Sequence, residues 1–475
     1  MTKSKQEKMD PKLEQRPPIV AVLGHVDHGK TTLLDKIRNS RVQEREYGGI
    51  TQGIGASQVE TKDGKKITFI DTPGHSAFAK MRSRGANAAD LALLIIAGND
   101  SVKPQTKEAL RFIKGSEVPY LVVVTKMDLP SSSIDKVKED LKSLPVKIEG
   151  EGGDVPLVAV SAKENKGIDE LLEMIVLMAE IRGLNASRQN DLDGVVIETN
   201  KDKRGLLVSA VIRDGSLHVS NEVTADGIDT KIRGLFDHNN KPINEALPGD
   251  PVLILGFSEL PSVGSSLVEK GKGSAGKSKA EGKKTQIDVD QDKIPIVVKA
   301  ESQGSLEAVL ENIPSKFSVI HSGVGDVNDS DIFIAKNANP ARIFVFKAKI
   351  PKNVSNLADT ENVQVETFEI IYKLLDRLAD IEKEGEEKLS AEARILAKFP
   401  FNKKIVAGSK ISKGEIRMGD KLKLFEADKL LGEVRVTSMR KLKDKISIAR
   451  EGEEVGIIFS PQLDFNEGCV LKSIR

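Results

Sequence analysis

The stretch GHVDHGKT, from Gly24 to Thr31, decides the fold. It fits the pattern G-x-x-x-x-G-K-[ST], directly after an apolar run at residues 19–23 and directly before a helical run. Glycines let the backbone wrap closely around an anion, so that successive N–H groups point at phosphate oxygens. The helix that begins at the loop adds a favourable field for negative charge. We therefore predict a phosphate-binding loop in which Lys30 reaches the β- and γ-phosphates and the Thr31 hydroxyl is a ligand of Mg²⁺.

The sequence around this loop alternates short apolar runs with helical stretches. Uninterrupted apolar strands separated by helices are typical of a parallel sheet that is covered on both faces. We predict strands at 19–23, 67–70, 91–96, 120–124 and 157–160, and helices that include 105–114 and 167–181. Residues 19–183 are therefore predicted to form a P-loop domain of α/β class.

Three residues downstream of the loop complete a predicted phosphate and magnesium site. Asp71 opens the sequence DTPGH at the end of the strand at 67–70, where its carboxylate is placed to hold Mg²⁺ through water. The backbone N–H of Gly74 is placed to sense a γ-phosphate. Thr51, in a glycine-rich stretch, is placed to complete the Mg²⁺ shell when the triphosphate is bound.

Two further segments indicate guanine rather than adenine. In the sequence TKMD, Asp128 is placed to pair with the guanine N–H groups, and Lys126 to pack beneath the base. The segment SAK, at 161–163, offers a backbone contact to the guanine oxygen. Together these motifs predict a GTP/GDP site with Mg²⁺ held by Thr31, Thr51 and Asp71. The predicted nucleotide-binding residues are Gly24, His25, Val26, Asp27, His28, Gly29, Lys30, Thr31, Thr32, Thr51, Asp71, Gly74, Thr125, Lys126, Asp128, Ser161, Ala162 and Lys163.

The 475 residues exceed what one hydrophobic core usually holds, so we predict a multidomain α/β protein. Its β-branched, glycine-punctuated regions predict two β-barrels, and a polar Gly/Ser/Lys stretch predicts a flexible linker. One strand of the small α/β/α domain is expected at 331–335, and an apolar stripe at spacings of three and four predicts the long linking helix. The predicted segments after the P-loop domain are a β-barrel (190–269), a linker (270–286), an α/β/α domain (287–353), a linking helix (363–388) and a C-terminal β-barrel (390–475).

Composition narrows the class of protein. Residues 1–18 form a polar N-terminal tail without the apolar core of a signal peptide, and no apolar run approaches a membrane span. The single cysteine, Cys469, excludes an internal disulfide framework. The stripe of the linking helix covers too few heptads for a coiled-coil dimer. We expect a cytoplasmic monomer without a membrane partner.

The motifs together resemble the bacterial-type translation initiation factor two family. The residues that carry the resemblance are GHVDHGKT, GGITQGIGA and DTPGHSAFAKMRSRGA in the first domain, KAESQGSLEA at 299–308, and SMRKLKD at 438–444. Many members carry a long N-terminal extension, and we expect this chain to lack it, because its first domain begins by about Ile19. The resemblance implies a translation initiation factor that binds both ribosomal subunits and formylmethionyl initiator tRNA and promotes subunit joining, with GTP hydrolysis triggering release.

The resemblance also implies roles for single residues. His75 would be the catalytic residue that orients the attacking water. Val26 and Ile50 would form an apolar gate that keeps His75 away until the ribosome acts. Because the protein contributes positioning and charge stabilisation rather than covalent chemistry, slow intrinsic turnover with ribosome stimulation is expected.

The C-terminal barrel would hold the formylmethionyl end of the tRNA. Where bacterial members usually have cysteines, this chain has Ser409 and Val455, while Glu454, Arg440 and Lys441 are retained. We expect these five residues to bind the tRNA, with phosphate contacts that weaken with salt. Two alternatives stay open: another tRNA-delivering translational GTPase, and a GTP-dependent ribosome-binding module with little hydrolysis.

Overall fold

The computed structural model describes residues 13–40, 51, 53, 55–272, 293–338, 341–385, 389–401, 404–426, 429–442 and 444–474. Most of the predicted tail and linker, and Ile50, lie outside these residues. The chain divides into two compact units, Met1–Asp376 and Arg377–Arg475. Each is described by itself below.

The first domain is the predicted P-loop domain. Its sheet has the strand order β3-β4-β2-β5-β6-β7 and is parallel except for the β3–β4 pair. A short pair, β1 with β8, lies beside it. The strands are β1 Glu14–Gln15, β2 Ile19–Gly24, β3 Gly55–Glu60, β4 Lys66–Asp71, β5 Leu91–Ala97, β6 Tyr120–Thr125, β7 Leu157–Ala159 and β8 Asn185–Ala186. The helices are α1 Lys30–Arg38, α2 Ala79–Ala88, α3 Pro104–Gly115, α4 Ile134–Lys142 and α5 Ile168–Arg182.

Alternating side chains of the central strand bury both faces of this sheet. Val20 and Val22 pack into one apolar cluster, while Ala21 and Leu23 pack into the other, and all four are fully buried. This burial explains why the strands read as continuous apolar runs. The carboxyl ends of β2, β4 and β6 lie along one edge of the sheet, and the phosphate loop, Asp71 and Thr125 are found there.

The second domain is an antiparallel β structure. Its main sheet has the order β13-β12-β18-β9-β10-β17-β14-β15 and encloses an apolar core that includes Val196, Val208 and Ile254. The strands are β9 Asp193–Asp202, β10 Gly205–Asp214, β11 Leu217–His218, β12 Glu222–Ala225, β13 Ile228–Lys231, β14 Gly234–Phe236, β15 Pro242–Ile243, β16 Glu245–Ala246, β17 Pro251–Leu255 and β18 Ser266–Glu269.

The third domain has a four-stranded parallel sheet with the order β20-β19-β21-β22. Its strands are β19 Ile294–Ala300, β20 Phe317–Val324, β21 Arg342–Phe346 and β22 Gln364–Phe368. Its helices are α6 Gln303–Glu311, α7 Asp329–Asn337 and α8 Lys352–Thr360, and α9 Ile371–Gly385 follows as the linking helix.

Two sequence predictions in this region are wrong. The predicted strand at 331–335 lies in helix α7, whose start is set by a capping box between Asn328 and Asp331. The linking helix, predicted from 363, begins only at Ile371, because Gln364–Phe368 adds a fourth strand to the sheet and Phe368 stacks on Phe344. The stripe of α9 is formed by Ile371, Leu374, Leu378 and Ile381.

A polar junction joins the second and third domains to helix α2. The carboxylate of Glu198 accepts hydrogen bonds from the Ser302 hydroxyl (3.0 Å) and the Gly304 N–H (3.2 Å) at the start of α6. Burial raises the pKa of Glu198 to about 7. Arg84 of α2 forms an ion pair with Glu307 at 2.7 Å. The segment after DTPGH is therefore bonded directly to the third domain.

The second unit contains a closed barrel. Strands β23, β30, β25, β26, β29 and β24 pair in that order, and β24 returns to β23, so the ring has no open edge. The strands are β23 Leu389–Phe401, β24 Lys404–Arg417, β25 Lys421–Glu426, β26 Lys429–Lys441, β27 Asp444–Ile446, β28 Ile448–Arg450, β29 Glu454–Ser460 and β30 Val470–Ile474. The predicted multidomain α/β architecture with its β-barrels is confirmed.

Candidate nucleotide site and C-terminal groove

A cleft of about 300 Å³ lies at the carboxyl edge of the first sheet. It brings together residues from the phosphate loop, from the region of Thr51, from DTPGH and from TKMD. Its lining residues are Val26, Asp27, Gly29, Lys30, Thr31, Thr32, Thr51, Gly74, His75 and Lys126. Residues that are up to 100 positions apart in the sequence thus face one cavity.

Two glycines let the phosphate loop take its path. At Gly24 a Cβ atom would lie 2.5 Å from the carbonyl oxygen of Ile95, so any side chain would collide with the neighbouring strand. Gly29, the N-cap residue directly before α1, has φ +82°, in the left-handed region. The helix N-terminus therefore opens into the cleft, as an anion-binding loop requires.

Lys30 is buried at the centre of the loop. Its ammonium group donates hydrogen bonds to the carbonyl oxygens of Gly24 (3.1 Å) and His25 (2.5 Å). Burial lowers the pKa of Lys30 to about 8, and the nearby carboxylate of Asp71 opposes that shift. A bound phosphate would offer this desolvated cation an anionic partner in place of neutral carbonyls.

Three oxygen-bearing side chains meet at the predicted metal position. The hydroxyl oxygens of Thr31 and Thr51 lie 2.6 Å apart, and the Thr51 hydroxyl lies 3.5 Å from Asp71 Oδ2. The other carboxylate oxygen of Asp71 is buried and has no hydrogen-bond partner in the described part of the chain. Burial raises the pKa of Asp71. Mg²⁺ prefers oxygen ligands, and this group of side chains offers two hydroxyls and a buried carboxylate oxygen that lacks a hydrogen-bond partner among the described residues, so it fits Mg²⁺.

The predicted guanine segments meet beside the cleft. Asp128 Oδ1 accepts a hydrogen bond from the Ser161 hydroxyl at 2.9 Å, which lowers the pKa of Asp128. The Thr125 hydroxyl donates to the His28 carbonyl at 2.6 Å and so joins TKMD to the phosphate loop. Ser161 is buried, whereas Ala162 is half-buried and Lys163 is exposed. Asp128 is thus held as an ionised acceptor, the state that pairs with guanine N–H groups.

His75 lines the cleft but is only 4% exposed. Its Nδ1 accepts a hydrogen bond from the Ala77 N–H at 2.8 Å, so the ring proton of the neutral form is on Nε2. Burial, with a smaller effect of Arg82, lowers the pKa of His75 to about 4. His75 is therefore a neutral donor through Nε2 at physiological pH, and Nε2 has no partner within the described residues.

Sequence reasoning missed how DTPGH is held. Arg82 is fully buried, donates to the carbonyl oxygens of Pro73 and His75, and pairs with Glu108 at 2.8 Å. Gln105 accepts a hydrogen bond from the Val26 N–H at 3.0 Å. Arg82 stands within DTPGHSAFAKMRSRGA, but the motif does not show that its side chain bonds back to the carbonyls of Pro73 and His75. Gln105 stands in no recognised motif, and its contact joins residues 79 positions apart in the chain.

The two loop histidines form a small cluster with Asp100. The ligand-type atoms of His25, His28 and Asp100 lie within 4.8 Å of one another. His28 Nδ1 lies 3.4 Å from the Ile95 carbonyl, and burial lowers the pKa of His28 to about 4. Lys103 already pairs with Asp100 at 2.8 Å, so this carboxylate is engaged by a cation. The contacts are those of residues that brace the loop.

The C-terminal barrel carries an apolar groove of about 440 Å³. Gly408 and Gly456 are paired across β24 and β29 and have no side chains to fill it. Phe399 and Leu442 line it and are 55% and 96% exposed. Sequence reasoning missed both, because exposed apolar residues gain meaning only once they share a surface.

Four of the five predicted tRNA-binding residues line this groove. Ser409 and Val455 are paired across the strands and buried, with exposures of 1% and 4%. Arg440 and Glu454 also line it. Lys441 does not, and instead pairs with Glu453 at 2.7 Å.

Comparisons with known proteins assign the family. Family models match in chain order: the elongation factor Tu GTP binding domain at 15–180, elongation factor G domain 2 at 191–270, and translation-initiation factor 2 at 269–379. Translation initiation factor IF-2 of Thermotoga sp. (strain RQ2) is 38% identical over 500 residues, which cover 98% of this chain and 72% of the relative. The chain belongs to the translation initiation factor IF-2 family.

A second curated relative agrees with this assignment, and one solved structure is reported beside it. Translation initiation factor IF-2 of Halothermothrix orenii is 36% identical, and the match covers 96% of this chain and 71% of the relative. The crystal structure of GDP-bound aIF5B from Aeropyrum pernix matches at 26% identity and a TM-score of 0.45, over 97% of this chain and 92% of that one. The predicted resemblance is confirmed, and this IF-2 family member is a translation initiation factor with a GTP-binding domain. Among the described residues, no helix has both the length and the apolar character that a membrane crossing requires.

Proposed function

We propose that this IF-2 family member is a ribosome-stimulated GTPase that positions formylmethionyl initiator tRNA on the small subunit and promotes subunit joining. Hydrolysis of GTP to GDP and phosphate then triggers release. The observation that carries the catalytic part is the position of His75: it lines the same cleft as Lys30 and Thr31, and its Nε2 has no hydrogen-bond partner among the described residues. The proposal places the protein in the cytoplasm, acting as a monomer.

The residues in and beside the cleft would have different roles in binding and hydrolysis. The loop N–H groups and Lys30 would bind the phosphates, and Asp128, Lys126 and Ser161 would select guanine. Thr31, Thr51 and Asp71 would hold Mg²⁺, which when bound supplies charge neutralisation at the β- and γ-phosphates. Catalysis is then a matter of placing water in line with the γ-phosphate.

His75 would orient that water as a hydrogen-bond donor. Because Nδ1 is engaged by the Ala77 N–H, Nε2–H is the group left to meet the water. A neutral donor positions a nucleophile without needing a proton-transfer step at the histidine itself. Val26, half-buried at the edge of the cleft, would serve as one side of the apolar gate.

The groove of the C-terminal barrel would hold the formylmethionyl end of the tRNA. Its apolar walls suit a methionine side chain, and Arg440 and Glu454 supply polar groups at its border. The buried Ser409 and Val455 would shape the groove from beneath its paired glycines. Lys441 would attract tRNA phosphates from outside the groove.

One experiment tests both halves of the proposal. GTP turnover is measured with and without ribosomes, and protection of formylmethionyl-tRNA from ester hydrolysis is measured alongside. We expect stimulation and protection together. Absence of ribosomal stimulation would refute a ribosome-stimulated GTPase, and would leave the GTP-dependent binding module. Stimulation without protection would refute initiator recognition and favour a different tRNA-delivering factor.

The His75→Ala variant tests the catalytic assignment. GTP binding should persist, because the ring contributes no phosphate contact in the proposed scheme. Stimulated turnover should fall by roughly two orders of magnitude or more, the scale expected for a misplaced nucleophile. Unchanged turnover would remove the role assigned to His75.

A further inference from the structure

The first turn of the linking helix α9 reaches the candidate catalytic histidine. The ring centroid of Tyr372 lies 3.8 Å from that of His75, with an angle of 67° between the planes. The ring centroid of Phe78, the other aromatic residue near His75, lies 6.0 Å from the imidazole centroid. Tyr372 is 46% exposed, whereas its neighbour Ile371 is fully buried and anchors the start of the helix.

The imidazole beside Tyr372 is nearly closed off from solvent. His75 is nearly inaccessible, and its Nε2, the nitrogen left for water, has no hydrogen-bond partner among the described residues. A buried N–H without a partner is costly and is kept only where the surroundings enforce it. Two contacts do so: the Ala77 N–H holds Nδ1, and the Tyr372 ring lies against the imidazole.

Tyr372 also lies within electrostatic range of the phosphate loop. Burial raises the pKa of its phenol, and the negative charge of Asp27 raises it further. Asp27 is an exposed residue of the loop that lines the nucleotide cleft. The tyrosine therefore lies where the linking helix, the catalytic histidine and the phosphate loop come together.

We propose that Tyr372 is a positioning residue that restrains His75, keeping the imidazole withdrawn until the start of the linking helix moves away. Hydrolysis without the ribosome is slow in part because this aromatic contact has to break first. The inference rests on the proposed role of His75 in hydrolysis, and it adds that the third-domain end of the linking helix controls that residue.

The test uses the whole 475-residue chain and measures basal GTP turnover without ribosomes. Tyr372→Ala removes the ring, and turnover should rise roughly two- to tenfold, the range expected for loss of one close aromatic pair. Tyr372→Phe keeps the ring and should behave as the wild type. Phe333→Ala is the matched control, because Phe333 has the same 46% exposure on helix α7 and should leave turnover unchanged.

Two further readouts separate positioning from a merely structural role. The rise should appear in kcat with KM for GTP unchanged, and it should vanish in the Tyr372→Ala/His75→Ala double variant. By NMR, the ring-proton signals of His75 should shift in Tyr372→Ala and stay in place in Tyr372→Phe. This spectral readout needs no activity and reports the contact even where turnover is low.

Several results would overturn the inference. They are unchanged or lower basal turnover in Tyr372→Ala, a Phe variant that behaves like the Ala variant, or a rise that persists without His75. Failure of the proposed function gives a different pattern, in which His75→Ala leaves stimulated turnover intact. If His75→Ala lowers turnover while Tyr372→Ala has no effect, only the restraint is refuted.

Discussion

The substitution Gly74→Ala, which adds one methyl group, tests how closely DTPGH and the phosphate loop approach each other. A Cβ atom there would lie 2.4 Å from Lys30 Nζ, 3.0 Å from the Val26 nitrogen and 3.2 Å from the His25 carbonyl carbon. Ordinary contact begins at 3.4 Å. In Gly74→Ala, the Lys30 ammonium group would therefore have to move by about 1 Å, a displacement that is sufficient to cost roughly 100-fold in rate.

The expected phenotype is loss of turnover with retention of the fold. The nearest atom is the end of a flexible side chain, so Lys30 can move without unfolding the loop. The two backbone contacts need shifts of only a few tenths of an ångström. We expect GTP still to bind, while kcat for ribosome-stimulated hydrolysis falls roughly 100-fold, because Lys30 and the Gly74 N–H no longer meet the γ-phosphate together.

The assay is single-turnover hydrolysis on ribosomes, with GTP affinity measured separately at equilibrium. Gly115→Ala is the matched control, since Gly115 ends helix α3 and a Cβ there meets nothing within 4 Å. A Gly74→Ala protein with kcat within about threefold of the wild type would refute the argument that DTPG and the phosphate loop must approach this closely. Thermal unfolding of both variants checks that the fold is intact.

Three other outcomes follow from single contacts. Asp128→Asn should weaken GTP binding by roughly 100-fold, because two charge-assisted bonds to guanine are lost, and the affinity ratio of GTP to XTP measures it; an unchanged ratio would contradict the guanine assignment. Phe399→Ala should reduce protection of formylmethionyl-tRNA, whereas Met418→Ala should not, because Met418 is similarly exposed (57% against 55%) but lies outside the groove. The pKa of Glu198, about 7, lies above its unfolded value, so its contribution to the free energy of unfolding is fully present at low pH and falls by about 3 kcal/mol as pH rises through 7. The thermal midpoint of Glu198→Gln relative to the wild type should therefore rise between about pH 5 and about pH 8. A difference that does not change with pH would count against the raised pKa.

Local sequence was sufficient to predict the fold of the P-loop domain. The loop from Gly24 to Thr31 lies between strand β2 and helix α1, as its glycines and flanking apolar run predict. In a parallel sheet, a motif at the end of each strand comes to the same edge whatever the length of chain between them. That is why the sequence alone could assign Thr31 and Asp71 to one site, whereas Thr51, which precedes strand β3, was predicted from its glycine-rich stretch.

Local sequence failed where pairing with distant residues decided the structure. Residues 331–335 are apolar enough for a strand, but the cap at Asn328 and the packing of the third domain make them helical. Gln364–Phe368 carries part of a helical stripe, yet it forms a strand because an edge of the sheet was available beside β21. Hydrophobic periodicity depends only on the positions of apolar residues and contains no information about which distant segment will pack against them.

The sequence by itself therefore determined the phosphate loop and the family and predicted the guanine and magnesium residues, because each is written in short motifs with fixed spacing. Only the tertiary structure decided how the site is controlled. It placed Tyr372 against His75, buried Arg82 beneath DTPGH, and gathered Phe399 and Leu442 into one groove over paired glycines. The energy of such contacts depends on burial and distance, which no local pattern contains.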